Sequence, residues 1–124
     1  MSFARILLAI TGLVFFVHGL VCFIHPATIG LESGLSMPTL GSTTEVRAEY
    51  GGLPMALGLF FLAGAARMVA VRTSLAVMSV VVVGYAVSRV AAVAIVASVD
   101  TYNLAAIGYE VTTAALALWA LRRT

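Results

Sequence analysis

The chain has no lysine, and charged residues make up only 10% of its 124 positions. A soluble domain normally carries about 25% charged side chains. A globule with this composition would have almost no polar surface to offer water. Cysteine is reduced to Cys22 alone, which excludes an internal disulfide. There is no C-x-x-C or H-x-x-x-H spacing, no Gly-rich phosphate loop and no G-x-S-x-G elbow. No metal, cofactor or nucleophilic catalyst is therefore expected. The net charge of +2 is not gathered into a basic cluster interleaved with aromatics. That excludes nucleic acid as a partner.

What remains is apolar. Hydrophobic residues are 62% of the chain. A membrane-spanning helix needs about 20 mainly apolar residues, and four stretches qualify: 6–24, 44–66, 75–99 and 102–121. They are too long for barrel strands and do not alternate. The expected fold is an all-α integral membrane protein, a single membrane domain over 1–124 built as a four-helix bundle. Arg5 followed by an apolar run has the look of a signal peptide. The run reaches Ile24 with no small-x-small cleavage site near its end, so it reads as a retained first helix.

The breaks between spans are well marked. His25-Pro26 ends the first, because a residue before proline disfavours helix. The connection 26–43 is rich in Gly, Pro, Ser and Thr and has room for a short interfacial turn near 27–31. Thr43 or Thr44 is a candidate cap for the second span. Residues 67–73 form a basic turn, and Asp100-Thr101 a tight hairpin. Arg5, Arg67, Arg72, Arg122 and Arg123 all fall on one side of this arrangement. Glu32, Glu45 and Asp100 fall on the other. The positive-inside rule puts both termini in the cytoplasm.

Two charges lie inside apolar runs, Arg89 and Glu110. At 1.5 Å per residue, Arg89 is roughly 21 Å from the inner edge of its span and Glu110 roughly 12 Å below the outer edge of its own. In a core of about 30 Å these depths nearly coincide. His18 falls at a similar depth, and Glu49 and Tyr50 somewhat higher. Tyr85 is four residues from Arg89 and shares its face. Ala106, Glu110, Thr113 and Ala117 form a small and polar stripe; Glu45, Glu49, Gly52 and Ala56 form another. Pro54 should loosen its helix near Tyr50.

Each feature has a plain reading beside the functional one. Arg89 and Glu110 can be a structural pair that fixes helix register, or part of a ligand or proton site. His18, Cys22 and His25 share a face, but seven residues span about 10 Å, too far for all three to meet one ion. Glu45, Arg47, Glu49 and Tyr50 can be a charged helix start or the lip of a cavity. Trp119 fits an interface anchor. Polar groups concentrate in the outer half of the expected bundle, which implies an outward-facing polar pocket.

These residues resemble a known family. The opening Arg5-Ile6-Leu7-Leu8 with Gly12 and Gly19 is one part of the likeness. The stretch Glu45-Val46-Arg47-Ala48-Glu49-Tyr50-Gly51-Gly52-Leu53 is its most specific part. Gly58-Leu59-Phe60-Phe61-Leu62, Arg89 and the Glu110 stripe complete it. Over nearly its whole length the chain is similar to small four-span bacterial proteins grouped as domain of unknown function family 4345. The resemblance implies a fold and a shared polar patch, and no reaction. The function expected from the residues is non-enzymatic: an accessory or binding protein for a lipid-like ligand or a larger membrane complex. Its expected partners are membrane lipids and either such a complex or a second copy of the chain. The rival is a small oligomeric proton-coupled transporter or membrane enzyme that uses Glu110 and Arg89.

The arginine asymmetry has a direct test. Reporter fusions after Thr124 and within 67–73 should be cytoplasmic, and fusions within 33–42 external. An external C-terminus would sink the four-span topology.

Overall fold

In a computed structural model that describes residues 2–124, the chain is helical almost throughout. Helix α1 is Phe3–Ile24, α2 is Ala27–Ser33 and α3 is Leu40–Ala65. Helices α4, Val71–Val96, and α5, Thr101–Arg122, complete the bundle. Among the described residues there is no strand. All but α2 are long and apolar enough to cross a membrane, so this is a multi-pass helical bundle of the membrane type.

The helix ends differ from expectation for local reasons. The cap of α3 is Thr39, not Thr43 or Thr44, and the helix starts at Leu40. Thr39 Oγ1 accepts from the Ser42 N–H at 3.1 Å, and Ser42 Oγ accepts from the Thr39 N–H at 3.0 Å. This reciprocal box satisfies two donors at once. The hydroxyls of Thr43 and Thr44 instead bond back to the carbonyls of Thr39 and Leu40. Helix α4 stops at Val96, three residues before 99, because Ala97 turns left-handed at φ 53°. Asp100 then caps α5, its Oδ1 accepting from the Asn103 N–H at 2.7 Å.

Helix α3 is not uniform. Its α-helical ends, Leu40–Val46 and Leu53–Ala65, flank a π-helical turn over Arg47–Gly52. There the Leu53 N–H reaches back five residues to the Ala48 carbonyl. Pro54 follows at once and has no N–H to donate, so an ordinary α ladder cannot run through this point. A wide turn absorbs the mismatch.

Helices α1 and α3 pack backbone to backbone. A Cβ on Gly58 would lie 2.6 Å from the Gly12 carbonyl oxygen, and one on Gly19 would lie 2.6 Å from that of Gly51. Lipid tails are as apolar as the helices, so close van der Waals approach must supply the association that water supplies elsewhere. The contact stripe of α3 is therefore Gly51, Pro54, Gly58, Phe61 and Ala65, which are buried. Glu45 and Ala56, expected to share an interface with Glu49 and Gly52, are exposed. The π turn breaks the four-residue register on which that expectation rested.

Helices α4 and α5 make the second pair. Alanines 114, 117 and 120 pack with Leu75, Met78 and Val82, and with Leu8 and Phe61 of the first pair. This main core fills the end of the bundle where the arginines lie. There Arg5 Nε donates to the Ala65 carbonyl at 2.7 Å, and the rings of Phe3 and Trp119 meet edge to face at 5.0 Å. Both termini are thus at this end. Toward the other end the core gives way to a small cluster of Cys22, Ile29 and Val46, with α2 folded over it.

The glycine contact gives a stability test. Gly58→Ala should lower the thermal midpoint in mild detergent, by an overpacking cost of about 1–3 kcal/mol. Gly84→Ala should not, because nothing lies within 4 Å of its Cβ position. Equal midpoints for both variants would show that the α1–α3 backbone contact is unimportant.

Candidate functional site

Arg89 is held by a fork. Its Nη2 donates to Glu110 Oε1 at 2.8 Å, and its Nε lies 3.0 Å from both carboxylate oxygens. The pair joins α4 to α5 across their shared face. Glu110 is only 8% exposed, so its carboxylate depends on the guanidinium for compensation. Arginine suits this place because its planar fork meets two carboxylate oxygens together.

The third partner is Asn103. Arg89 Nη1 donates to Asn103 Oδ1 at 3.1 Å. Asn103 Nδ2 in turn donates to the capping Asp100 Oδ1 at 3.0 Å. The guanidinium carbon also lies 5.7 Å from the centroid of the Tyr102 ring. The chain Asp100–Asn103–Arg89–Glu110 therefore locks the buried charge to the hairpin that joins α4 and α5. Asn103 and Glu110 are seven residues apart, two turns along one face. Tyr102 and Asn103 were not singled out from the sequence, and Asp100 was read there only as part of the hairpin and of the charge opposite the arginines. The D-x-x-N start of α5, one face with Glu110, was the available signal.

A cavity of about 500 Å³ opens between the two helix pairs. Six of the sequence-chosen residues line it: His18, Glu49, Tyr50, Tyr85, Arg89 and Glu110. The other two do not. Glu45 is exposed away from it, and Arg47 Nε donates to the Phe23 carbonyl at 3.1 Å, tying the π turn to the end of α1. His18 Nε2 is 3.6 Å from Cys22 Sγ. Among the described residues no three His, Cys, Asp or Glu side chains gather where they could hold a metal ion.

The walls differ in character. Val14, Phe15, Pro54 and Ile29 make an apolar side from α1, α3 and α2. Phe15 meets Phe61 at 5.6 Å and Tyr85 at 6.5 Å between ring centroids, which closes the floor against the main core. The rest of the lining is aromatic and polar, with His18, Glu49 and Tyr50 from α1 and α3 and Tyr85, Arg89, Tyr102, Tyr109 and Glu110 from α4 and α5. The chain has four tyrosines, and all four, Tyr50, Tyr85, Tyr102 and Tyr109, line this cavity. Tyrosine at a membrane interface is common, but a lipid-facing belt would not turn every ring toward one space. The hydrogen bonds that bind the wall together run through Arg89, Glu110, Asn103 and Asp100. The cavity offers an apolar face, aromatic rings with hydroxyls, an imidazole and the Glu49 carboxylate.

Direct coupling of the fork can be measured. Arg89→Gln and Glu110→Gln should each cost about 3–5 kcal/mol, since each strands the other charge. The double variant should lose much less than the sum. Simple additivity in detergent unfolding would show that the two charges act independently.

No curated protein and no solved structure matches the chain. A family profile does: that of Domain of unknown function (DUF4345), over residues 3–121. Those residues hold all four spanning helices but for the last residue of α5, together with the fork and every cavity-lining side chain. With nearly its whole length matched, the protein belongs to the DUF4345 family.

Proposed function

We propose that the protein is a non-enzymatic binding protein of the bacterial inner membrane, and that it takes an amphipathic, lipid-like ligand in the cavity between its helix pairs. The observation that carries this reading is the cavity of about 500 Å³ in which apolar side chains, Val14, Phe15, Ile29, Pro54 and Val82, stand beside four tyrosines and the polar groups His18, Glu49, Arg89 and Glu110. Ligand pockets are typically about 300–1,000 Å³ with a few polar groups in a mainly apolar wall. An amphiphile matches both kinds of group; a fully polar solute would leave Val14, Phe15 and Ile29 unfilled. By the positive-inside rule the arginine end is cytoplasmic, so the cavity opens to the outer half of the bilayer. The Arg89–Glu110 fork serves this reading as a back wall.

Native mass spectrometry of protein extracted from its membranes in mild detergent tests the proposal. A lipid-like molecule should be retained at one per chain. Ala106→Phe, which fills the cavity from α5, should release it while the protein still melts cooperatively. Retention unchanged by Ala106→Phe would rule the cavity out. Uptake into proteoliposomes driven by a proton gradient, and abolished by Glu110→Gln, would replace this reading with the transporter one.

A further inference from the structure

A second concavity lies along the seam between α1 and α5. It measures about 420 Å³ and is lined by Phe3, Ile6, Ile10, Gly108, Thr112 and Leu116 among others. On α1 its residues continue directly into those of the first cavity. Phe3, Ile6, Leu7, Ile10 and Thr11 belong to the seam, and Val14, Phe15 and His18 to the cavity. That is a single helical stripe at three- and four-residue spacing. On α5, Tyr109 borders both spaces. The two therefore form one track with a polar head end and an apolar tail end. From Phe3 to His18 it runs about 22 Å along the helix, and the Phe3–Trp119 ring contact marks its far end.

Charge at the head end selects among amphiphiles. Arg89 spends Nε and Nη2 on Glu110, Nη1 on Asn103 and one face on Tyr102. Two of its five N–H donors remain, but its charge is already matched by Glu110, so it adds no net attraction for a phosphate. Glu110 is compensated in the same fork. Glu49 also lines the cavity, and the only ion pair among the described residues is the Arg89–Glu110 one. The cavity's carboxylates and guanidinium, Arg89 against Glu49 and Glu110, sum to a net negative charge beside four tyrosine rings. Aromatic faces attract cations and repel anions.

Resting on the binding reading above, we infer that the ligand is a single-chain amphiphile with an amine or ammonium head, seated by Glu49 and the tyrosines, its tail running down the α1–α5 seam toward Trp119. A phosphate head would face the uncompensated carboxylate. A two-chain lipid would have one tail without a track.

Trp119 is the chain's single tryptophan and reports on the tail end. Bromine quenches indole fluorescence at short range. The probe is a long-chain primary amine brominated at its terminal carbon, titrated into protein in neutral maltoside micelles. The same chain brominated next to the head is compared with it, as are phosphate- and hydroxyl-headed versions. Terminal bromine should quench Trp119 saturably and more strongly than bromine beside the head. The amine should bind about tenfold tighter than the phosphate or the alcohol, the scale of one carboxylate contact together with a cation–π contact. Glu49→Gln, an exposed position, should remove that preference. Gly108→Phe should fill the seam and abolish the quenching; nothing lies within 4 Å of its Cβ position, so the fold has room for it. Equal affinity for the three heads would overturn the ammonium assignment and leave amphiphile binding standing. Stronger quenching from the head-proximal bromine would overturn the tail track. If none of the probes binds saturably, both this inference and the binding reading fall.

Discussion

Everything at the open end of the bundle hangs on the Arg89–Glu110 fork. A carboxylate that is 8% exposed inside an apolar helix bundle is tenable only with a positive partner at contact distance. Arginine provides it and adds direction. Once two of its nitrogens are spent on Glu110, the third points to Asn103, and through Asn103 the link reaches the hairpin cap at Asp100. The pair also sets the register of α4 against α5, because a slip of one residue on either helix would break the fork. The polar wall of the cavity is thus tied together by one chain of hydrogen bonds from Asp100 to Glu110.

The bundle divides along its length. At the arginine end the four long helices share one core, with Leu8, Phe61, Leu75 and Met78 buried among small residues of α5. Away from it, α1 and α3 stay in backbone contact through Gly19 and Gly51, and α4 and α5 stay joined by the fork. Each pair is tight within itself, so the space opens between the pairs. The π turn of α3 falls at this level and brings Glu49 and Tyr50 to the cavity. Wide turns of this kind are frequent at functional sites.

Much of this was legible in the sequence. Run length and apolar content identified four spanning helices, and the arginine distribution separated one end from the other. Equal depth along α4 and α5 brought Arg89 and Glu110 to one level. The stripe of Ala106, Glu110, Thr113 and Ala117 is the face that α5 turns inward. Other features were not legible. Glu45 and Arg47 fell out of the cavity because a π turn changes which residues share a face, and that turn depends on how α3 packs as well as on Pro54. Asn103 was passed over because a polar residue in the first turn of a helix ordinarily bonds only its own cap.

The sequence by itself determined the number of spans, their polarity of arrangement and the need for opposite charges to meet inside the bundle. All three follow from quantities that add along a chain: apolar length, arginine count per loop and the cost of an unpaired charge in lipid. Tertiary structure decided the rest: that the glycines of α1 and α3 meet, that all four tyrosines line one space, and that a second concavity along α1 and α5 shares Tyr109 with it. These depend on helix rotation and on close packing between segments distant in sequence. A helix that is apolar all round does not specify which face it turns to a neighbour.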